Sequence, residues 1–158
     1  MRVRILTAVL LFAGIVPILA QPPAYKLDAA SNKQYLADNA KKHGVVVLPD
    51  GLQYRVIKSG TGQKVQSTMD KVGVYYKGWM INGTIFDQTH GQPATFQPSG
   101  LIRGWTEALA KMREGDEWEL TIPAALAYGD KGAGGGLIPP GQTLVFDLAL
   151  VEVEPAPK

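Results

Sequence analysis

One segment, Trp105, Ala108, Leu109 and Met112, repeats apolar residues at i, i+3, i+4 and i+7, and it constrains the fold more than any other feature. Such a stripe marks one face of a helix. A single amphipathic helix must bury that face against another layer. Gly115 is placed to end it. The segments around it alternate with period two instead. Leu52 to Lys58, Asp70 to Met80, Thr84 to Phe86, Thr95 to Gln97, Asp116 to Ile122 and Thr143 to Val153 read as strands. In one of them Trp118, Leu120 and Ile122 face one way, and Glu117, Glu119 and Thr121 the other; in the last, Leu144, Phe146, Leu148 and Leu150 share a face. Asn82-Gly83 is a hairpin turn signal. The plan is α+β, an antiparallel sheet of about five strands with this helix packed on it.

The first residues carry a different signal. Arg2 and Arg4 precede an apolar run from Ile5, Pro17 interrupts it, and Ala20 offers a small exit residue. That order is the order of a secretory leader, residues 1–20. The run from Ile5 to Ala20 has 16 residues, short of the roughly 20 needed to span a bilayer. Cleavage would leave 138 residues without a stable membrane insertion. The expected location is periplasmic or secreted, away from ATP. Residues 21–48 read as a linker with a short helical arm. Asp28 or Ser31 can cap that helix, and Ser31 with Gln34 fits a capping box. Its apolar side is thin, with Tyr35, Leu36 and Ala40. An arm lying on its own domain is favoured over a dimer contact, and a monomer over a dimer. Residues 49–154 form the domain proper and residues 155–158 a tail.

Composition removes most chemistry. The chain has no cysteine and only His43 and His90 as histidines, so disulfides, thiolate catalysis and a multi-histidine metal centre are excluded. Lysine and arginine number 16 against 14 acidic residues. Removing the leader's two arginines balances them at 14 each, which leaves no electrostatic footprint for nucleic acid. Both histidines lie in polar surroundings. No nucleophile elbow is present, and the acidic cluster Glu114, Asp116, Glu117 and Glu119 reads as a wet strand face. The run Gly132 to Gly136 lacks the Lys-Ser/Thr of a phosphate loop and is followed by Leu137-Ile138-Pro139-Pro140. It reads as a mobile loop. Tyr128, Leu137 and Ile138 flank it, and apolar residues on a surface loop point to a binding rim.

These residues also fall into a known order. Val74-Tyr75-Tyr76-Lys77-Gly78, Gly83-Thr84-Ile85-Phe86-Asp87, Gln92-Pro93-Ala94-Thr95-Phe96, Leu101-Ile102-Arg103-Gly104-Trp105, Ala127-Tyr128-Gly129, Leu137-Ile138-Pro139-Pro140 and Thr143-Leu144-Val145-Phe146-Asp147 together resemble the FKBP family of peptidyl-prolyl cis–trans isomerases. The stretch from Asn39 to Tyr54 resembles the bacterial branch that includes the macrophage infectivity potentiators. The resemblance implies a half-wrapped antiparallel sheet around one short helix, with a pocket between them. It implies Tyr76, Phe86, Asp87, Tyr128 and Phe146 as catalytic residues. Trp105 would be the floor, with Phe96, Leu101, Ile102, Leu137 and Ile138 as further substrate contacts. Tyr128 and the Ile102 N–H would donate to a substrate carbonyl. It implies proline-containing peptides and unfolded exported proteins as partners, macrolide inhibitors of this family as ligands, and no cofactor or metal. The alternative is a binding module that holds unfolded chains with little turnover. Ala94 stands where many members carry a wall aromatic, and no histidine stands in the Tyr128 loop.

Overall fold

The computed structural model describes residues 24–157; the expected leader, residues 1–20, lies outside them. Helix α1 spans Ala29–Asn39 and α2 spans Arg103–Lys111; the strands are β1 Val45–Val47, β2 Gln53–Lys58, β3 Lys71–Met80, β4 Ile85–Gln88, β5 Ala94–Phe96, β6 Glu117–Ile122 and β7 Leu144–Glu154. The sheet is antiparallel, in the order β1-β2-β6-β7-β3-β4, with β5 also on β3. Among the described residues it has seven strands rather than about five: the six segments read as strands above, and one more. The strand that alternation did not reveal is β1, three valines with no polar residue between them.

α2 packs on one face of the sheet. Trp105, Ala108, Leu109 and Met112 are all buried, as their spacing predicts. They join Leu120, Ile122, Leu144, Leu148 and Leu150 in one core. Gly104 allows the close approach: a Cβ there would meet the Ile122 side chain at 2.5 Å. The helix stops at Lys111, before Gly115. The Asp116 carboxylate accepts the Arg113 N–H at 2.8 Å, which draws the chain out of the helix early.

Two bulges account for conspicuous exposed side chains. Ile57 is skipped between Val56↔Trp118 and Lys58↔Glu117, and Val151 between Gly73↔Glu152 and Val74↔Leu150. Each extra residue turns outward.

The arm departs from expectation in how it docks. Asp28 is the cap, accepting the Ser31 N–H at 2.7 Å. The Ser31–Gln34 box does not form, because Gln34 donates to Asp38 instead. The residues α1 buries are Asn32 and Asn39, not Tyr35, Leu36 and Ala40. Asn39 Nδ2 donates to Gln53 Oε1 at 2.9 Å and to Thr121 Oγ1 at 3.1 Å. Gln53 Nε2 returns a bond to the Leu36 carbonyl at 2.9 Å. The arm is therefore pinned to its own domain by buried amides.

Candidate active site

The site is assembled where β3, β4 and β7 face α2. Tyr76 pairs with Leu148 and Gly78 with Phe146 across β3 and β7, and β4 sets Asp87 opposite Gly78. Directly opposed residues share a face, so Asp87, Gly78 and Phe146 form one row, with Tyr76 two residues along. Simple alternation would turn Phe86 away. The register shifts between Gly78 and Trp79, whose partners are Asp87 and Ile85. Phe86 is the extra residue of a β-bulge. The bulge lets two consecutive residues, Phe86 and Asp87, line the same cavity.

That cavity measures about 240 Å³ and is lined by Tyr76, Phe86, Asp87, Phe96, Gly100, Leu101, Ile102, Trp105, Tyr128 and Phe146. Trp105 enters from the first turns of α2 and is 5% exposed. Three rings stand almost perpendicular to its indole: Tyr76 at 84°, Phe146 at 82° and Phe96 at 89°, with centroids 5.2, 5.2 and 6.0 Å away. Phe86 meets Phe146 edge to face at 5.5 Å. Edge-to-face packing is the favoured arrangement for such rings, so floor and walls hold one another.

Asp87 is the one carboxylate in the lining. The Tyr76 hydroxyl donates to its Oδ2 at 2.7 Å, and the Gln88 N–H donates to its Oδ1 at 2.9 Å. Burial, reinforced by Asp87, pushes the Tyr76 hydroxyl up to about 12, so it stays a neutral donor. Thr89 holds Tyr76 from behind. Its Oγ1 accepts the Tyr76 N–H at 3.2 Å and donates to the Tyr76 carbonyl at 3.3 Å. Among the described residues, neither the Tyr128 hydroxyl nor the Ile102 N–H takes part in a hydrogen bond. Both donors are free at the cavity.

Of the residues singled out in the sequence, Leu137 and Ile138 do not line the cavity. Ile138 exchanges two hydrogen bonds with Ala133, at 2.9 and 3.1 Å, and this turns its side chain into the core, where it is 5% exposed. Leu137 stands on the loop, 53% exposed. Gly100 joins the lining without having been expected. It has no side chain to betray it; the only local signal is the tight turn at Pro98–Gly100. Both His43 and His90 are exposed and away from the cavity.

Comparison with known proteins bears on this geometry. Residues 62–151 match the model of the FKBP-type peptidyl-prolyl cis-trans isomerase domain. The chain belongs to that family. Residues 20–56 match the domain amino-terminal to such isomerases. The FKBP-type 22 kDa peptidyl-prolyl cis-trans isomerase of Escherichia coli is 50% identical over 131 residues, which cover 82% of this chain and 63% of that protein. The outer membrane protein MIP of Legionella longbeachae is 49% identical, covering 82% of this chain and 55% of that one. A solved peptidyl-prolyl cis-trans isomerase from Pseudomonas syringae superposes with a TM-score of 0.74 at 39% identity, over 80% of this chain and 92% of that one. The chain thus spans less than two thirds of the first curated relatives. As an FKBP-type domain it has the family's α+β architecture, a sheet half-wrapped around α2.

Proposed function

We propose that this domain catalyses cis–trans isomerisation of X–Pro bonds in exported proteins, in the periplasm or outside the cell after loss of residues 1–20, with residues 49–154 as the isomerase unit. The observation that supports this best is the tryptophan-floored cavity, walled by Tyr76, Phe86, Phe96 and Phe146 and flanked by two free donors. Rotation about a peptide bond faces a barrier of about 18–20 kcal/mol because the C–N bond is partly double. For X–Pro the wait is tens to hundreds of seconds. No bond breaks, so the site needs neither nucleophile nor cofactor.

The planar amide is charge-separated, with negative character on oxygen and positive on nitrogen. The twisted amide is less polar. Transfer from water into the aromatic cavity costs the planar form more, which lowers the barrier. Each tenfold gain in rate requires about 1.4 kcal/mol. The indole supports the proline ring, and walls at right angles to it suit a twisted peptide better than a flat one. The Tyr128 hydroxyl and the Ile102 N–H hold the carbonyl that precedes proline. The same cavity would take the family's macrolide inhibitors in competition with peptide. The arm pinned to its own sheet supports a monomer.

A protease-coupled assay on a short proline peptide, run beside an aggregation-suppression assay, tests the proposal. Accelerated cis-to-trans conversion, blocked by macrolide, is expected. Suppressed aggregation with no acceleration would instead make the chain a holding module.

A further inference from the structure

We propose that the N-terminal arm is a positioning element for the active site: Asn32, acting through Gln142, sets the loop that presents Tyr128 to the cavity. The inference rests on the isomerase reading above. α1 buries two residues, and they serve different places. Asn39 is tied to Gln53 and Thr121 of the sheet. Asn32 reaches the stem of the loop between Ala127 and Gly141. Its Oδ1 accepts the Thr143 N–H at 2.7 Å, and its Nδ2 donates to Gln142 Oε1 at 3.1 Å. Gln142 then donates from Nε2 to the Pro140 carbonyl and to the Leu27 carbonyl, each at 3.2 Å. Asn32 and Gln142 are 5% and 4% exposed. A buried amide must keep its partners, so this pair holds its geometry.

The stem carries the constraint to Tyr128. The Gly141 N–H donates to the Gly129 carbonyl at 2.8 Å. This bond joins the two sides of the loop next to Gln142 on one side and next to Tyr128 on the other. Further out, the pair of backbone hydrogen bonds between Ala133 and Ile138 closes the loop on itself. Tyr128 is 41% exposed, so packing alone does not fix its ring. Its hydroxyl stands where the stem places it. A hydrogen bond weakens steeply as its angle departs from linear, and small misplacements at a reacting centre cost rate. The arm thus has a sheet anchor at Asn39 and a loop anchor at Asn32.

The test is a double-mutant cycle on the full mature chain, with Asn32→Ala and Tyr128→Phe made singly and together. Asn32→Ala is expected to lower kcat/KM on a proline peptide about fivefold, and to lower it by less than about twofold when Tyr128 is already Phe. An equal loss in both backgrounds, or no loss, overturns the inference while leaving the isomerase reading intact. If the wild type itself shows no turnover, the isomerase reading fails. Amide exchange at Gly141 then decides the pin: faster exchange in Asn32→Ala upholds it, and unchanged exchange overturns it. Should Asn32→Ala not fold, Gln142→Met runs the same cycle, because it leaves the Asn32–Thr143 bond in place.

Discussion

Phe146 fills the space a side chain on Gly78 would need. A Cβ built there lies 2.6 Å from Cε1 of Phe146 and 2.7 Å from Cζ of Phe86. Both contacts are with aromatic rings locked edge to face, not with the loose end of a flexible chain. Gly78 is what allows two wall rings to meet over the strand. Gly78→Ala is expected to destabilise by about 1–3 kcal/mol through overpacking and to cut turnover by displacing both walls. Urea unfolding and the peptide assay check this together. Wild-type values in both would show that the rings yield freely.

The pair Tyr76 and Asp87 sets an alkaline limit. The Tyr76 hydroxyl is pushed from 10.0 up to about 12, first by burial and then by its bond to Asp87. Burial raises Tyr35 to about 12 as well. A group raised in the folded state contributes its stability below its unfolded value and loses it as pH climbs through the folded one. Stability should hold up to about pH 10 and fall between about 10 and 12, with phenolate absorbance from these tyrosines rising late. The Tyr76→Phe variant should lose part of that alkaline sensitivity. A phenolate signal complete by the ordinary tyrosine range, with the fold intact, would contradict the bonded pair.

Asp70 contributes to the acid limit. Its carboxylate accepts the N–H groups of Ala156, Gln66 and Ser67 at 3.0, 2.9 and 2.9 Å. These bonds, Ala156 first, hold it below the usual carboxylate range. The stability it contributes is present above that range and lost as pH falls through the lowered value. Asp70→Asn should therefore lower the melting temperature at neutral pH, with the gap to wild type closing in acid. A gap that stays constant down to strongly acid pH would show that the charge is not what matters.

The parts of the fold that were legible in the sequence each keep to a single period, helical or alternating. The α2 stripe at Trp105, Ala108, Leu109 and Met112 and the alternation through Trp118, Leu120 and Ile122 each name a buried face, and those faces meet. Alternation fails at Phe86 and Asp87, because a bulge is a property of two paired strands and leaves no mark in either alone. The buried face of the arm is illegible for a different reason. It is made of Asn32 and Asn39, and polar residues at helical spacing look like solvent. Ile138 looked like a rim residue because it follows glycines. Its two bonds to Ala133 turn it inward, and those depend on a left-handed loop that only the folded chain displays.

The most direct measurement compares wild type and Phe86→Ala in cis-to-trans conversion of one proline peptide, with circular dichroism confirming that both are folded. Phe86 forms a wall against Phe146 and touches no reacting atom covalently. The predicted result is a fall of at least about tenfold, a barrier rise of about 1.4 kcal/mol. A folded Phe86→Ala variant that turns over peptide at close to the wild-type rate would contradict catalysis by the aromatic cavity.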